Sequence, residues 1–466
     1  MKKLFLSCAL ILTMAVAAFA QEGKVKYVFF FIGDGMGMNQ VNGTEMYLGE
    51  KQGKIGPAPL TFTQFPYMGA SKTYSHSNPI TDSAAGGTAL AVGEKTTNGV
   101  IGMDHTKKVP LESIAEKAKK AGRRVGVATS VSVDHATPAS FYAHQPSRKM
   151  AYEIGTDLAK SNMDFFAGSG FVEPEKEGDK KAANLFKLVK DAGYTVARGV
   201  DEYQKMAPKS DKIILFQKEG KNVYNLPYAI DRKAGDLSLT EITESAIDFL
   251  TKDNSGFFVM IEGGQIDWSS HANDAGTTFE EVIDMDNAIK KAYDFYLAHP
   301  DSTLIVVTAD HETGGLGLGV GGYVLNYNAF SSQRMSQSQL SDAILALKKE
   351  TKNKMTWEQL QALLKKNLGF WDTVALSDKQ TESLKEEYED SVQKDSGKAE
   401  SEYSKDEKIA ALAIKILNKN AKAGWTSNTH TSSYVPVFAI GAGAEMFGGL
   451  QENTDIPKKI VKAAGY

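Results

Sequence analysis

Cysteine is almost missing: one, Cys8, occurs in 466 residues, inside an apolar N-terminal run. Beyond that run no disulfide framework and no thiolate metal site can form, so any metal must be held by imidazole, carboxylate and hydroxyl groups. Positive charge is not in excess either. Lys and Arg number 53 against 57 Asp and Glu, a formal net charge of −4, which lacks the basic footprint of a nucleic-acid-binding protein. After the first twenty residues no apolar stretch is long enough to span a membrane. The composition that remains, 42% hydrophobic and 24% charged, is that of a soluble globular chain with ample core.

The N-terminal run has its own logic. Lys2 and Lys3 precede apolar residues that end in Ala18-Phe19-Ala20 before Gln21. A charged start, an apolar centre and an A-x-A site predict a signal peptide over 1–20 and a periplasmic or secreted mature protein. A lipoprotein signal would need small residues before Cys8, and Phe5-Leu6-Ser7 fits that poorly.

From there apolar strands alternate with amphipathic helices. Strands are predicted at 27–32, 124–129, 164–167, 212–216, 256–262, 303–308 and 435–440, with helices at 111–121, 240–250 and 279–297. Segments such as "YVFFFI" and "TLIVVT" are apolar on both faces, as central strands of a sheet covered on both sides must be. The prediction is an α/β fold with a large, mostly parallel sheet between two helical layers. The rhythm breaks between 322 and 424, where Lys/Glu-rich helical segments predict a helical insertion in a domain running from 21 to 466. Thr356…Gln359 and Ser404…Glu407 have capping-box spacing, and Gly424 is placed as a helix C-terminal glycine.

In open α/β sheets functional groups collect beyond the carboxyl ends of the strands. Reading past each predicted strand end gives Asp34, then Asp134-His135-Ala136-Thr137, then Glu262, Asp267 and His271, then Asp310-His311; His430 stands a few residues before the last strand. Each has an ordinary structural explanation: a turn aspartate, a helix cap, an i,i+4 pair. Together, carboxylates and imidazoles on one sheet edge would repel and desolvate one another without cations. Hard oxygen ligands and neutral imidazoles suit Zn²⁺ or Mg²⁺. Asp82-Ser83 adds a hydroxyl at the head of the tiny residues Ala84-Ala85-Gly86-Gly87, where helix-start N–H groups converge. A multi-metal site with a serine beside it is the joint reading.

The segments "FFFIGDGMG", "TDSAAGGTALAVGEKTTNG", "ATPASFYAH", "FFVMIEGGQIDWSSHAND", "VTADHETGG" and "THTSSYVPVFAIG" resemble, in order, the successive motifs of the alkaline phosphatase family. The resemblance implies a phosphomonoesterase in which Ser83 is the phosphorylated nucleophile and Arg148 grips the phosphate. It implies one Zn²⁺ held by Asp267, His271 and His430, and a second held by Asp34, Asp310 and His311 beside Ser83. A third ion, Mg²⁺, would lie between Asp34, Thr137 and Glu262. Some members have aspartate where this chain has His135 and lysine where it has Trp268. A nitrogen donor at the third site would tilt it from Mg²⁺ toward Zn²⁺ or another transition metal, unless His135 acts through water; Trp268 would sit beside the phosphate. A homodimer is implied, and small phosphate monoesters are the expected substrates. The rival readings are a phosphodiesterase, sulfatase or phosphomutase of the wider superfamily, a non-catalytic exported metal-binding protein, and a metal-free serine hydrolase.

Overall fold

The computed structural model describes residues 25–394, 398–400 and 405–466; the expected signal peptide with Cys8, and Ser404, lie outside the described residues. A ten-stranded sheet forms the centre. Its strands are β1 Tyr27–Gly33, β2 Tyr67–Lys72, β3 Arg124–Thr129, β4 Phe165–Gly168, β5 Tyr194–Arg198, β6 Lys212–Phe216, β7 Phe257–Gly263, β8 Thr303–Thr308, β9 Val435–Gly441 and β10 Gly449–Glu452. Their spatial order is β10-β2-β9-β8-β1-β7-β3-β4-β6-β5. Only β9 runs against the rest, antiparallel to both β2 and β8.

Period-2 alternation explains the two cores. Along β1, Val28, Phe30 and Ile32 enter one buried cluster, while Phe29 and Phe31 enter the other across the sheet. Both faces of the central strands are therefore dry, which demands the continuous apolar runs seen in the sequence. Within this sheet the strands not anticipated are β2, β5 and β10. β5 and β10 are the sheet's edges and β2 neighbours β10, so all three carry mixed rather than uniformly apolar residues.

Between Thr313 and Trp425 the helices Gln337–Glu350, Trp357–Leu368, Asp378–Lys394 and Lys408–Ala421 share a third core with Leu340, Leu360, Leu364, Leu384 and Leu417. The Thr356–Gln359 capping box is present. The Lys408–Ala421 helix begins differently from its expected box, because Glu407 itself is the N-cap and accepts from the Ile409 and Ala410 amides. Gly424 is not a helix cap. The helix ends at Ala421 with Lys422 left-handed behind it, and Gly424 pairs with Gly317 in a short antiparallel ladder.

Candidate active site

Parallel strands deliver their following residues to one edge. Asp34 follows β1, Glu262 is the sixth residue of β7, and Asp310 and His311 follow β8. His430 precedes its strand, yet reaches the same edge because β9 is reversed. Asp267 and His271 sit on the Gln265–His271 helix, which starts immediately beyond β7. Gly35 lets this edge close up: its φ is +72°, and a Cβ there would come within 2.9 Å of Asp267.

Ser83 is the first residue of the Ser83–Val92 helix and is fully buried. Its Oγ lies 3.3 Å from His311 Nε2. The tiny residues behind it allow that approach. A Cβ on Gly86 would meet the Asp310 carbonyl at 3.1 Å, and one on Gly87 would meet Ser140 Oγ at 3.0 Å and Thr137 Cα at 3.1 Å.

The imidazoles are oriented by groups that can only accept. His271 Nδ1 donates to Asn428 O at 2.7 Å, and His430 Nδ1 donates to Thr81 O at 2.9 Å. Each neutral ring therefore turns an unprotonated Nε2 inward, and the two Nε2 atoms are 3.1 Å apart. Asp267 lies beside both, with Oδ2 3.3 Å from His271 and Oδ1 3.7 Å from His430. Thr313 Oγ1 donates to Asp267 and stands 3.3 Å from His311 Nδ1. This turns His311 Nε2 toward Ser83, Asp34 at 3.3 Å and Asp310 at 3.4 Å.

Three groups could each hold an ion: Asp267, His311 and His430; Asp34, Asp310 and His311; and Asp34, His135 and Glu262, with ligand atoms within 4.8 Å of one another in each. His271 joins the first through its contacts with Asp267 and His430. Thr137 Oγ1 lies 3.3 Å from Asp34 and 3.4 Å from Asp310. All the sequence-derived ligands thus meet at one edge.

The electrostatics are hostile without cations. Burial, followed by the charges of Asp310, Asp267 and Glu262, pushes the Asp34 carboxyl well above the ordinary range. Burial and the charges of Asp267 and Glu262 do the same to Asp310. Burial and His430 drive His311 well below its usual value. Burial also opposes ionisation of Asp267, but His271, His430 and His311 outweigh it and hold that carboxyl low. Buried Asp34 Oδ1, Glu262 Oε1 and Asp267 Oδ2 accept no hydrogen bond. Such atoms are costly unless they coordinate something.

Arg148 is held at both ends, Nη1 at 3.2 Å from Asp82 Oδ2 and Nη2 at 3.2 Å from His135 Nε2. His135 Nδ1 is 3.5 Å from Glu262 Oε1, and its ring meets Trp268 edge-on with centroids 6.2 Å apart. Sequence reasoning gave Asp82 no role. It caps the Ser83 helix through the Ala85 amide at 3.0 Å, accepts from the Gly99 amide at 3.0 Å and anchors Arg148. Its position immediately before a helix start was the available signal. His144 lies outside any helix, in irregular backbone ahead of Arg148, with its Nε2 3.0 Å from Glu116. His76 and His105 stack on each other elsewhere, and His299 ends a helix against Tyr27.

A family model described as alkaline phosphatase matches residues 25–466. Alkaline phosphatase 3 of Bacillus subtilis (strain 168) is 34% identical over 456 residues, covering 96% of this chain and 90% of that one. Among solved structures, the cold-active alkaline phosphatase from a psychrophilic Shewanella sp. is 30% identical, with TM-score 0.79 over 94% of this chain and 99% of that one. A mutant of TAB5 alkaline phosphatase with glutamate in place of a histidine, described with Mg bound in its M3 site, is 28% identical with TM-score 0.67, covering 96% and 99%.

Proposed function

The chain belongs to the alkaline phosphatase family, a family of phosphomonoester hydrolases, and from that premise we propose that it hydrolyses phosphate monoesters through a phosphoserine on Ser83. One observation carries the reading: unprotonated imidazole nitrogens and carboxylate oxygens that accept no hydrogen bond converge around the Ser83 hydroxyl, an arrangement that cations would stabilise. Asp267, His271 and His430 would hold one Zn²⁺. Asp34, Asp310 and His311 would hold a second, and Asp34, Glu262, Thr137 and His135 a third ion, Mg²⁺ or a transition metal. When bound, such ions acidify hydroxyl groups and balance charge on attacking and departing oxygens.

The chain's own residues do the remainder. Ser83 Oγ attacks phosphorus, forming an O–P bond as the ester O–P bond breaks and the alcohol leaves with a proton. Water then attacks the same phosphorus, the Ser83 O–P bond breaks, and inorganic phosphate departs. The guanidinium of Arg148 has five N–H donors, and its contacts with Asp82 and His135 fix its plane for two parallel bonds to phosphoryl oxygens. His311 Nε2 faces Ser83, Asp34 and Asp310 together, so an ion held among them would occupy that nitrogen and supply the acidification of the Ser83 hydroxyl that a histidine general base would otherwise give.

The test is 4-nitrophenol release from 4-nitrophenyl phosphate, its diester and its sulfate analogue. The monoester alone should turn over, activity should vanish on chelation and return with Zn²⁺ and Mg²⁺, and Ser83→Ala should abolish phosphate transfer to the protein. Chelator-resistant turnover would overturn the reading.

We further propose export through the leader at 1–20 and a homodimer. Among the described residues no helix is long and apolar enough to cross a membrane. Exposed Met68, Tyr74, Tyr434 and Leu450 on and beside β2, β9 and β10 support a self-association surface. Light scattering at the monomer mass would sink the dimer, and an uncleaved N-terminus in exported protein would sink the leader.

A further inference from the structure

A cavity of about 840 Å³ opens beside the phosphate end of the site. Arg148, His135 and Trp268 line its inner end; Lys221–Asp236 loop residues and Ser336, Gln339 and Asp342 form much of its outer wall. A phosphoryl group alone needs a small fraction of this space, whereas cavities of about 300–1,000 Å³ enclose ligands of drug size. The alcohol half of a substrate therefore has a built place to go.

The character of that place follows from its side chains. Four basic and five acidic residues line it, and they largely cancel: Lys221 pairs with Asp236 at 2.9 Å and Arg148 with Asp82 at 3.2 Å. A second phosphate or another strongly anionic group would find no concentrated positive charge. What the wall does offer is aromatic surface. Tyr224 is 55% exposed at this cavity, so a flat ring face is open to a ligand held there.

Its backbone is not loose. Ser132 N donates to Tyr224 O at 2.9 Å, Leu226 N donates to Ser130 O at 2.9 Å, and Asn225 Nδ2 donates to Gln265 Oε1 at 2.7 Å. Ser132 O in turn accepts from His135 N at 3.1 Å, and His135 contacts Arg148. The exposed ring is thus carried on a segment tied, through three short links, to the phosphate-gripping arginine. Hydrogen-bonding groups of Asn222, Ser338 and Gln339 complete the wall.

We infer that this cleft is a leaving-group subsite for the nucleoside of nucleoside monophosphates, with the flat base stacked on Tyr224 and the sugar hydroxyls toward the polar wall. The inference rests on the proposed reading that Ser83 and Arg148 hold the phosphoryl group. Stacking of a base on an aromatic side chain is worth about 1–3 kcal/mol, a rate preference of about fivefold or more.

Adenosine 5′-monophosphate and ribose 5-phosphate test it, because both release a primary alcohol of the same sugar and differ by the base. In the Zn²⁺- and Mg²⁺-supplied enzyme, kcat/KM for the nucleotide should exceed that for the sugar phosphate by about fivefold or more. Tyr224→Ala should bring the ratio close to one while leaving ribose 5-phosphate turnover unchanged, and Tyr224→Phe should keep the ratio. A wild-type ratio near one, a ratio that survives Tyr224→Ala, or equal loss on both substrates would overturn the subsite. Failure of the wild type on both substrates would overturn the phosphatase reading instead.

Discussion

His271 Nε2 and His430 Nε2 face each other at 3.1 Å, each with its other nitrogen committed to a backbone carbonyl. Two lone pairs at that separation beside a buried carboxylate repel unless a positive charge lies among them. Chelation should therefore lower the thermal midpoint as well as abolish activity. A ligand present at about a thousand times its Kd stabilises the folded state by about 4 kcal/mol. Calorimetry before and after chelation and on return of Zn²⁺ checks this, and an unchanged midpoint would contradict it. His271→Ala should reduce bound Zn²⁺ by about one per chain, read by elemental analysis, since one of three inward donors is lost.

The Gly86 backbone stands against Asp310, with room for only a strained Cβ at 3.1 Å from the Asp310 carbonyl and 3.2 Å from its Cβ. Gly86→Val places a branched side chain there, so either the Ser83 helix or Asp310 must move. Misplacing a catalytic group by about 1 Å costs about 10²-fold, and kcat/KM on a generic monoester should fall by that order or more. Gly86→Ala should fall between the two. Wild-type turnover in Gly86→Val would mean that the small residues serve helix packing alone.

Much of this site was legible because a parallel sheet converts sequence position into spatial position: whatever follows an apolar strand arrives at one edge. That rule places Asp34, Asp310 and His311 without coordinates. It gives no warrant for His430, which precedes β9 and reaches the site only through strand reversal, a direction that apolarity does not encode. Asp82 escaped because its three partners, Ala85, Gly99 and Arg148, lie up to 66 residues away, and only the first is a local signal. Gly424 misled for the opposite reason. Lys422, a residue that rarely takes the left-handed conformation, does so at φ 65°, and the glycine expected to do it joins a strand pair. Edge strands β5 and β10 stayed hidden because half-exposed strands have no uniform apolar signature.

The third ion can be argued from His135. Its Nδ1 is 3.5 Å from Glu262 Oε1, and it forms a candidate ligand group with Asp34 and Glu262. Arg148 can only donate to His135 Nε2, so Nδ1 becomes a ligand atom when the ring moves its proton to Nε2 and gives up that contact; a nitrogen donor freed in this way favours Zn²⁺ over Mg²⁺, which prefers all-oxygen octahedral sites. Protein stripped and refilled with both ions in competition should hold more than two Zn²⁺ and less than one Mg²⁺ per chain. His135→Asp should move the third position toward Mg²⁺. Two Zn²⁺ and one Mg²⁺ in both proteins would show that His135 does not set the choice.

Glu281 ties stability to pH away from the metal-binding edge. It is buried on the Ala275–Ala298 helix and accepts from the Ala229 amide at 2.6 Å. Burial, reinforced by Asp284 and only partly offset by Arg232, raises its carboxyl from 4.5 to about 8. The folded chain therefore keeps a proton that the unfolded chain has already released, and stability falls as pH rises through that interval, by at most about 1.4 kcal/mol per pH unit. Asp134 and Asp231 act in the same direction, but their carboxyls are raised only to about 6, so the window from pH 6 to 8 isolates Glu281 from them. Glu281→Gln keeps an acceptor for Ala229 and removes the titration. Denaturant midpoints of both proteins, measured in matched buffers, should show the variant gaining steadily on the wild type from pH 6 to pH 8, with the gap constant above that. A gap that does not change with pH would place the proton elsewhere.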